Sequence, residues 1–206
     1  MQLHRAGVLD GAIALLDAGG LDALTMRKLA SRLGVQAGAL YWHFKDKAAL
    51  LDAMAERLVE GVVADPLPDG SWDEQMTILA QRVHQALLAH RDGARVVAGT
   101  YVPDSSHRRM GILAFDIFHE AGLSQERAIW TTFTLLYYIL GHTIEEQAQA
   151  ELVAQGEWKA KEAAYLAATE GEDTTALART FDADPAERFA WGLRLFLDGV
   201  RAQLPH

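Results

Sequence analysis

The 206-residue chain contains no cysteine, which removes disulfides and thiolate metal sites and makes a reducing interior a compatible setting. No apolar run approaches the roughly 20 residues that a membrane span requires. The opening residues, MQLHRAGVLDGAIALLDAGG, interleave charge with apolar residues; that fits an amphipathic helix and lacks the uninterrupted apolar core of a secretory signal. The chain is therefore expected in the cytoplasm. Period-two alternation is scarce, so strands are not expected. Net positive charge is missing as well: the formal charge is -9, which taken whole repels phosphate.

The distribution of charge differs from its sum. Residues 1–47 carry six Lys or Arg (Arg5, Arg27, Lys28, Arg32, Lys45 and Lys47) against four acids (Asp10, Asp17, Asp22 and Asp46), so this part is +2 and the remainder is -11. The surplus gathers around one stretch, LTMRKLASRLGVQAGALYWHFKDKAALL, Leu24 to Leu51.

Half of the residues are hydrophobic, enough to bury a substantial core, and their spacing is helical nearly throughout. Val8, Ala12, Leu15 and Leu16 share one face of a first helix that Gly19-Gly20 ends by tolerating positive φ. Thr25 can cap a second helix with Met26, Leu29, Ala30 and Leu33 as its stripe, and Gly34 supplies the turn. Gln36 to Phe44 forms a third, with Leu40 and Phe44 inward; Asp46 caps a fourth that runs towards Val63. Short helices joined by a few residues bury little unless they cross steeply around a small shared core, which is helix-turn-helix geometry. Ala37, Gly38, Tyr41 and Trp42 then face outward, with Arg27, Lys45 and Lys47 where phosphate oxygens would lie. The alternative, Tyr41 and Trp42 as half-buried aromatics at a helix end, leaves that clustering unexplained.

Beyond the linker ADPLPDG, Ser71-Trp72-Asp73-Glu74 is a capping box opening a helix to about Ala89. HRDGARVVAG gives a short helix, Ser106 to Ala121 another ended by Gly122, and Ser124 caps a long one to about Val153. Residues 155–183 read as one or two loosely anchored helices in an irregular region. Asp184-Pro185 starts the last helix as N-cap and N1, with Phe189, Leu193, Phe196, Leu197 and Val200 on a broad apolar face. The two long helices carry more apolar surface than one subunit must cover, and each large side chain left exposed forfeits roughly 1.5–3 kcal/mol. A two-fold dimer is the commonest cover; the alternative is the irregular segment of the same chain.

LTMRKLASRLGV followed by LYWHFKDKAALLDAMAERLV resembles the DNA-binding domain of the TetR family of repressors, and LYWH the tetracycline-repressor branch. SWDEQMTILAQRVHQALLAHRDGARVVAGT, EAGLS and LGHTIEEQAQ are similar to successive parts of that branch's ligand-binding core. The resemblance implies an all-α fold: a helix-turn-helix domain over 1–46, a connecting helix and linker over 47–65, and a ligand-binding and dimerisation domain over 66–206. The last forms a four-helix bundle with its symmetry mate. It further implies a homodimeric repressor on a palindromic double-stranded DNA operator, released by a small-molecule effector, with half-sites roughly 34–36 Å apart. Thr25, Met26 and Arg27 then start the second helix on the phosphate backbone or a base edge; Ala37, Gly38 and Ala39 enter the groove; Tyr41, Trp42, His43 and Lys47 contact backbone and sugar. Polar residues and proline are usual at those groove positions. Ala and Gly make no bidentate base contact, so specificity leans on Arg27, Gln36 and DNA shape.

The branch's polar effector grip is replaced. Val63, Leu79, Val83, Val97 and Ala114 stand at the matching positions, while Thr100 and Glu145 are retained; Trp130, Tyr137 and His142 complete the expected lining. Chelated Mg²⁺ needs oxygen or imidazole ligands, and Val97 offers neither. No cofactor and no metal are expected, and the effector is expected to be a mainly hydrophobic, antibiotic-like molecule other than Mg-tetracycline. Glu145 either forms a solvated stripe with Glu146 or, if buried, needs a partner: His142 one turn away or a basic group on the ligand. Two rivals stand beside this reading: an architectural helical DNA binder without inducer, and a metal-dependent helical enzyme using His142 and Glu145. No phosphate loop, nucleophile elbow or HExxH favours the second.

Overall fold

The computed structural model describes residues 3–98, 100, 106–169 and 174–205, and these hold helices and no strand. The chain packs as two units, Met1–Thr143 and Ile144–His206, the division falling inside one continuous helix.

In the first unit α1 (Arg5–Gly19) buries Val8, Leu9, Ala12 and Leu16 and stops at Gly20, whose φ of 75° suits glycine. A 3-10 turn, Leu21–Ala23, leads to α2 (Met26–Leu33). Thr25 caps α2 by accepting the Lys28 N–H at 3.2 Å, and Gly34 closes it in the left-handed region at φ 67°. The third helix, α3, is shorter than its apolar spacing predicts: Ala37–Tyr41, with Gln36 as an N-cap that makes no side-chain bond. It ends because the Leu40 carbonyl takes the N–H groups of both His43 and Phe44, at 2.9 and 3.0 Å, folding the chain inward to bury Phe44. Next comes α4 (Lys47–Val59), capped by Asp46, which accepts the Ala49 N–H at 2.8 Å. It stops four residues before the expected Val63: Gly61 is a poor helix former, and the Val62 and Ala64 N–H groups close tight turns onto Val59 and Gly61.

The core of this unit continues through α5 (Trp72–Leu88), α6 (Gly93–Val97), α7 (Ser106–Glu120) and the start of α8 (Gln125–Ala154). Ser71 and Glu74 form the expected capping box at α5. The helix α4 packs against α1 on one side and α5, α6 and α7 on the other, and its buried Leu50, Met54, Ala55, Leu58 and Val59 serve both.

The second unit holds the end of α8, then α9 (Trp158–Ala168), α10 (Thr174–Asp182) and α11 (Pro185–Arg201). The segment expected to be loosely anchored is tied at several points. Phe181 meets Trp158 and Tyr165 edge-on at 5.7 and 5.5 Å, and Lys159 Nζ lies 2.8 Å from both Glu162 and Asp182. Gln149 donates to the Phe181 carbonyl at 3.2 Å and accepts from Arg188 at 2.9 Å. Asp184 caps α11, which buries Phe189, Leu193, Leu197 and Val200. Large apolar groups remain exposed: Ile129, Trp130, Phe133 and Tyr137 on α8, Trp191 and Leu195 on α11. None of the described helices is long and apolar enough to cross a membrane.

Candidate functional site

At the tip of the first unit, neighbouring residues have opposite fates. Leu40 and Phe44 are buried, while Tyr41 is 51% and Trp42 90% exposed. The Arg5 guanidinium lies 4.5 Å from the Phe44 ring centre and closes the inner side. Around the two outward rings, Thr25, Arg27, Gln36 and Gly38 are exposed, and Met26, Ala37, Ala39, His43 and Lys47 are partly so. Every one of the residues anticipated at a DNA interface is thus at least partly accessible at or beside α2 and α3. Half-burial of both aromatics, the alternative, does not describe Trp42.

Contacts that sequence inspection did not find tie this tip to the body. Asp92, at φ 55°, accepts the Leu21 N–H at 2.7 Å and pairs with Arg95 at 3.1 Å; Arg95 also reaches Asp22 at 3.1 Å. Asp17 pairs with His90 Nδ1 at 3.1 Å and accepts the Arg91 N–H at 3.2 Å. The hydrogen bonds that Arg95 donates to Asp22 and Asp92 raise its pKa further. The first two residues of the 3-10 turn are therefore held by Asp92, just before α6, and Arg95, within it.

A cavity of about 480 Å³ lies among α5, α6, α7 and α8. Met76, Leu79, Ala80 and Val83 of α5 form one wall; Val97 and Thr100, then Met110 and Ala114 of α7, and Ile139 and Leu140 of α8 form others. Of the anticipated lining, Leu79, Val83, Val97, Thr100, Ala114 and Tyr137 are present. Val63, Trp130, His142 and Glu145 are not among the cavity's residues. Val63 sits in the turns after α4, and Trp130 is 62% exposed. His142 packs its ring against His84 and Tyr138, at 5.8 and 5.9 Å. Glu145 is exposed and carries no burial cost for a ligand to offset. Sequence inspection missed Met76, His107, Met110, Phe115, Ile129 and Phe133. The α5 spacing Met76, Leu79, Ala80, Val83 was a detectable stripe; nothing local marked His107.

The cavity adjoins α4 through the start of α7. Both carboxylate oxygens of Glu56 lie 2.8 Å from the Ser106 N–H. Burial pushes the Glu56 carboxyl up, but the Ser106 hydroxyl and N–H, the His107 N–H and the Arg109 charge outweigh it and hold the group below its ordinary value. A carboxyl depressed by folding contributes stability that is complete above the unfolded value and lost as pH falls through the folded one. Glu56→Gln is therefore expected to cost on the order of 1 kcal/mol at pH 7, the contact being partly solvated. In denaturant titrations the gap from the parent protein should narrow as pH drops below the carboxylate range, about 4.3. A gap that persists unchanged in acid would contradict the assignment.

Residues 8–54 match Bacterial regulatory proteins, tetR family, and residues 65–204 match Tetracyclin repressor-like, C-terminal domain. Among curated proteins, the chain is similar to the tetracycline repressor protein class C of Escherichia coli, 34% identical over 97% of this chain and 91% of that one. The class A repressor from transposon 1721, also of Escherichia coli, is 42% identical over 71% of this chain and 68% of its own. A crystal structure of a possible TetR family transcriptional regulator from Streptomyces coelicolor A3(2) superposes with TM-score 0.84 at 41% identity, covering 97% of this chain and 99% of that chain. BioQ with its double-stranded DNA operator superposes with TM-score 0.73 at 29% identity, covering 97% and 98%. Together with the all-helical fold, the outward aromatic tip and the apolar cavity, these matches decide the family: the chain belongs to the TetR family of bacterial transcriptional regulators, in its tetracycline-repressor-like branch.

Proposed function

We propose that this regulator is a homodimeric repressor whose α2–α3 tip reads a palindromic operator in the cytoplasm, and that a mainly hydrophobic, antibiotic-like molecule entering the α5–α8 cavity releases it. It is not an enzyme. The observation that carries this is the pairing of two features in one unit: a solvent-facing Tyr41-Trp42 tip on α3 packed against α2 with its exposed Arg27, and an apolar cavity that α4 links to it. The division of labour is residues 1–46 for DNA, 47–65 for connection and 66–206 for ligand and dimer. The exposed aromatic faces of α8 and α11 support a second copy as cover, because burying such side chains contributes about 1.5–3 kcal/mol each. The small side chains of Ala37, Gly38 and Ala39 leave base reading to Arg27, Gln36 and DNA shape.

The cavity speaks against a purely architectural DNA binder, which has no use for a space of ligand size. The Val97 position also disfavours chelated Mg²⁺-tetracycline, since valine supplies neither oxygen nor imidazole there, and the wall's imidazole, His107, stands at a different position. Shifting the dimer from 1:99 to 99:1 requires the ligand to prefer the released form by about 10⁴-fold, roughly 5.5 kcal/mol. Burying two or three rings is of that order. As the test, an operator is selected from random duplexes and titrated in gel shifts. Arg27→Ala is expected to weaken binding by about tenfold or more while the dimer is retained in size-exclusion chromatography. Undiminished affinity would sink the site assignment.

A further inference from the structure

The cavity's polar groups are few, and all but one are already engaged or lie at its mouth. Thr100 Oγ1 donates to the Val96 carbonyl at 3.0 Å and Thr132 Oγ1 to the Ala128 carbonyl at 2.8 Å, so both hydroxyl protons are used within their own segments. Arg108 and Tyr137 are exposed residues of the lining, which sets them at the rim. His107 differs. It belongs to the cavity's lining, and its Nδ1 is buried with no hydrogen-bond partner among the described residues.

An unpaired buried nitrogen is costly, and a protein keeps one where a partner arrives later. Burial pushes the imidazole below its ordinary pKa, against the opposing charge of Glu56, so the ring is neutral at neutral pH, with one nitrogen bearing a proton and the other bare. A hydroxyl complements either tautomer because it can donate or accept. A carboxylate can only accept, and inside these apolar walls it would surrender its hydration without a fixed cation. Because Nδ1 is itself buried, pairing through it requires the ring to turn about its χ2 bond.

We infer that the cavity takes a neutral, largely apolar ring compound bearing a hydroxyl group, and that the imidazole of His107 hydrogen-bonds that hydroxyl. This rests on the cavity being the effector site, and it names the ligand's chemical class. The position also suits the read-out: the His107 backbone N–H bonds Glu56 of α4, so a ligand anchored on the side chain lies one residue's width from the connecting helix.

The test uses three probes sharing two fused rings: 1-naphthol, 1-methylnaphthalene and 1-naphthoate, each titrated calorimetrically into the full-length protein and its variants. In the parent protein the naphthol is expected to bind at least as well as its more hydrophobic methyl analogue. In His107→Phe the naphthol-to-methylnaphthalene ratio is expected to fall about tenfold, the scale of one hydrogen bond to a buried group. His107→Asn, whose side-chain amide occupies the Nδ1 position, is expected to restore most of the ratio and guards against a folding defect in the first variant. An unchanged ratio in His107→Phe, with all probes still bound, overturns the inference and leaves the cavity reading intact. Preference for the naphthoate in the parent protein also overturns it, pointing instead to the rim arginine, Arg108. Failure of every probe to bind the parent protein rejects the cavity reading and the inference together.

Discussion

Phe44→Ala is expected to cost about 3–5 kcal/mol of folding free energy and to abolish operator binding, while Trp42→Ala two residues earlier is expected to leave stability within about 0.5 kcal/mol. The contrast follows from burial. Phe44 is 2% exposed and roofed by the Arg5 guanidinium, so truncation removes a fully desolvated ring from the small core that α1, α2 and α3 share. A domain of this size has few alternatives to fill such a cavity. Trp42 gives up almost no packing when truncated, yet a solvent-facing indole is poorly accounted for by the folding of the subunit alone. Its loss should weaken operator binding by about tenfold or more, as removal of a backbone and sugar contact together with its apolar area. Chemical denaturation and gel shifts on both variants check the pair. A Trp42→Ala protein with full operator affinity would remove that ring from the interface.

Gly93→Ala is the second large effect expected, about 1–3 kcal/mol or more. A Cβ at this position would stand 2.3 Å from the Leu87 carbonyl oxygen and 3.4 Å from Leu58 Cδ2. The first obstacle is backbone at the end of α5 and cannot swing aside, so the start of α6 must move. That start carries Asp92, which holds the Leu21 N–H, and Arg95, which holds Asp22. The variant should therefore lose thermal stability and loosen the tip from the body, seen as faster amide exchange at Leu21. Gly38→Ala is the control, since nothing lies within 4 Å of a Cβ there. Equal unfolding midpoints for the two alanine variants would show that the Leu87 contact is not limiting.

Much of the fold was legible because its signals are local. Thr25, Asp46, the Ser71-Glu74 box and Asp184 each satisfy helix N–H groups within three residues of themselves, and Gly34 takes the left-handed turn its position requires. What was illegible depends on partners distant in the chain. Asp92 meets Leu21 across 71 positions and Glu56 meets Ser106 across 50, and no periodicity encodes such pairs. The ends of α3 and α4 were overextended because apolar spacing continues past the point where Leu40 and Gly61 turn the chain. On α8, apolar residues occur nearly all round, so spacing could not separate Ile129 and Phe133, which line the cavity though partly open to solvent, from Trp130, which does not line it. For the same reason spacing could not decide whether Glu145 is buried or part of a solvated stripe with Glu146; it is exposed.

The distribution of the five tryptophans has a practical corollary. Trp42 stands on the tip, Trp130 on α8 and Trp191 on α11, all three more than half accessible, while Trp72 and Trp158 are partly shielded. Indole emission shifts to the blue as water is stripped from the ring, so the molecule carries its own optical reporters. Single-tryptophan derivatives retaining Trp42 alone, or Trp191 alone, would let nucleic-acid engagement and self-association be followed as separate spectral changes without an attached dye.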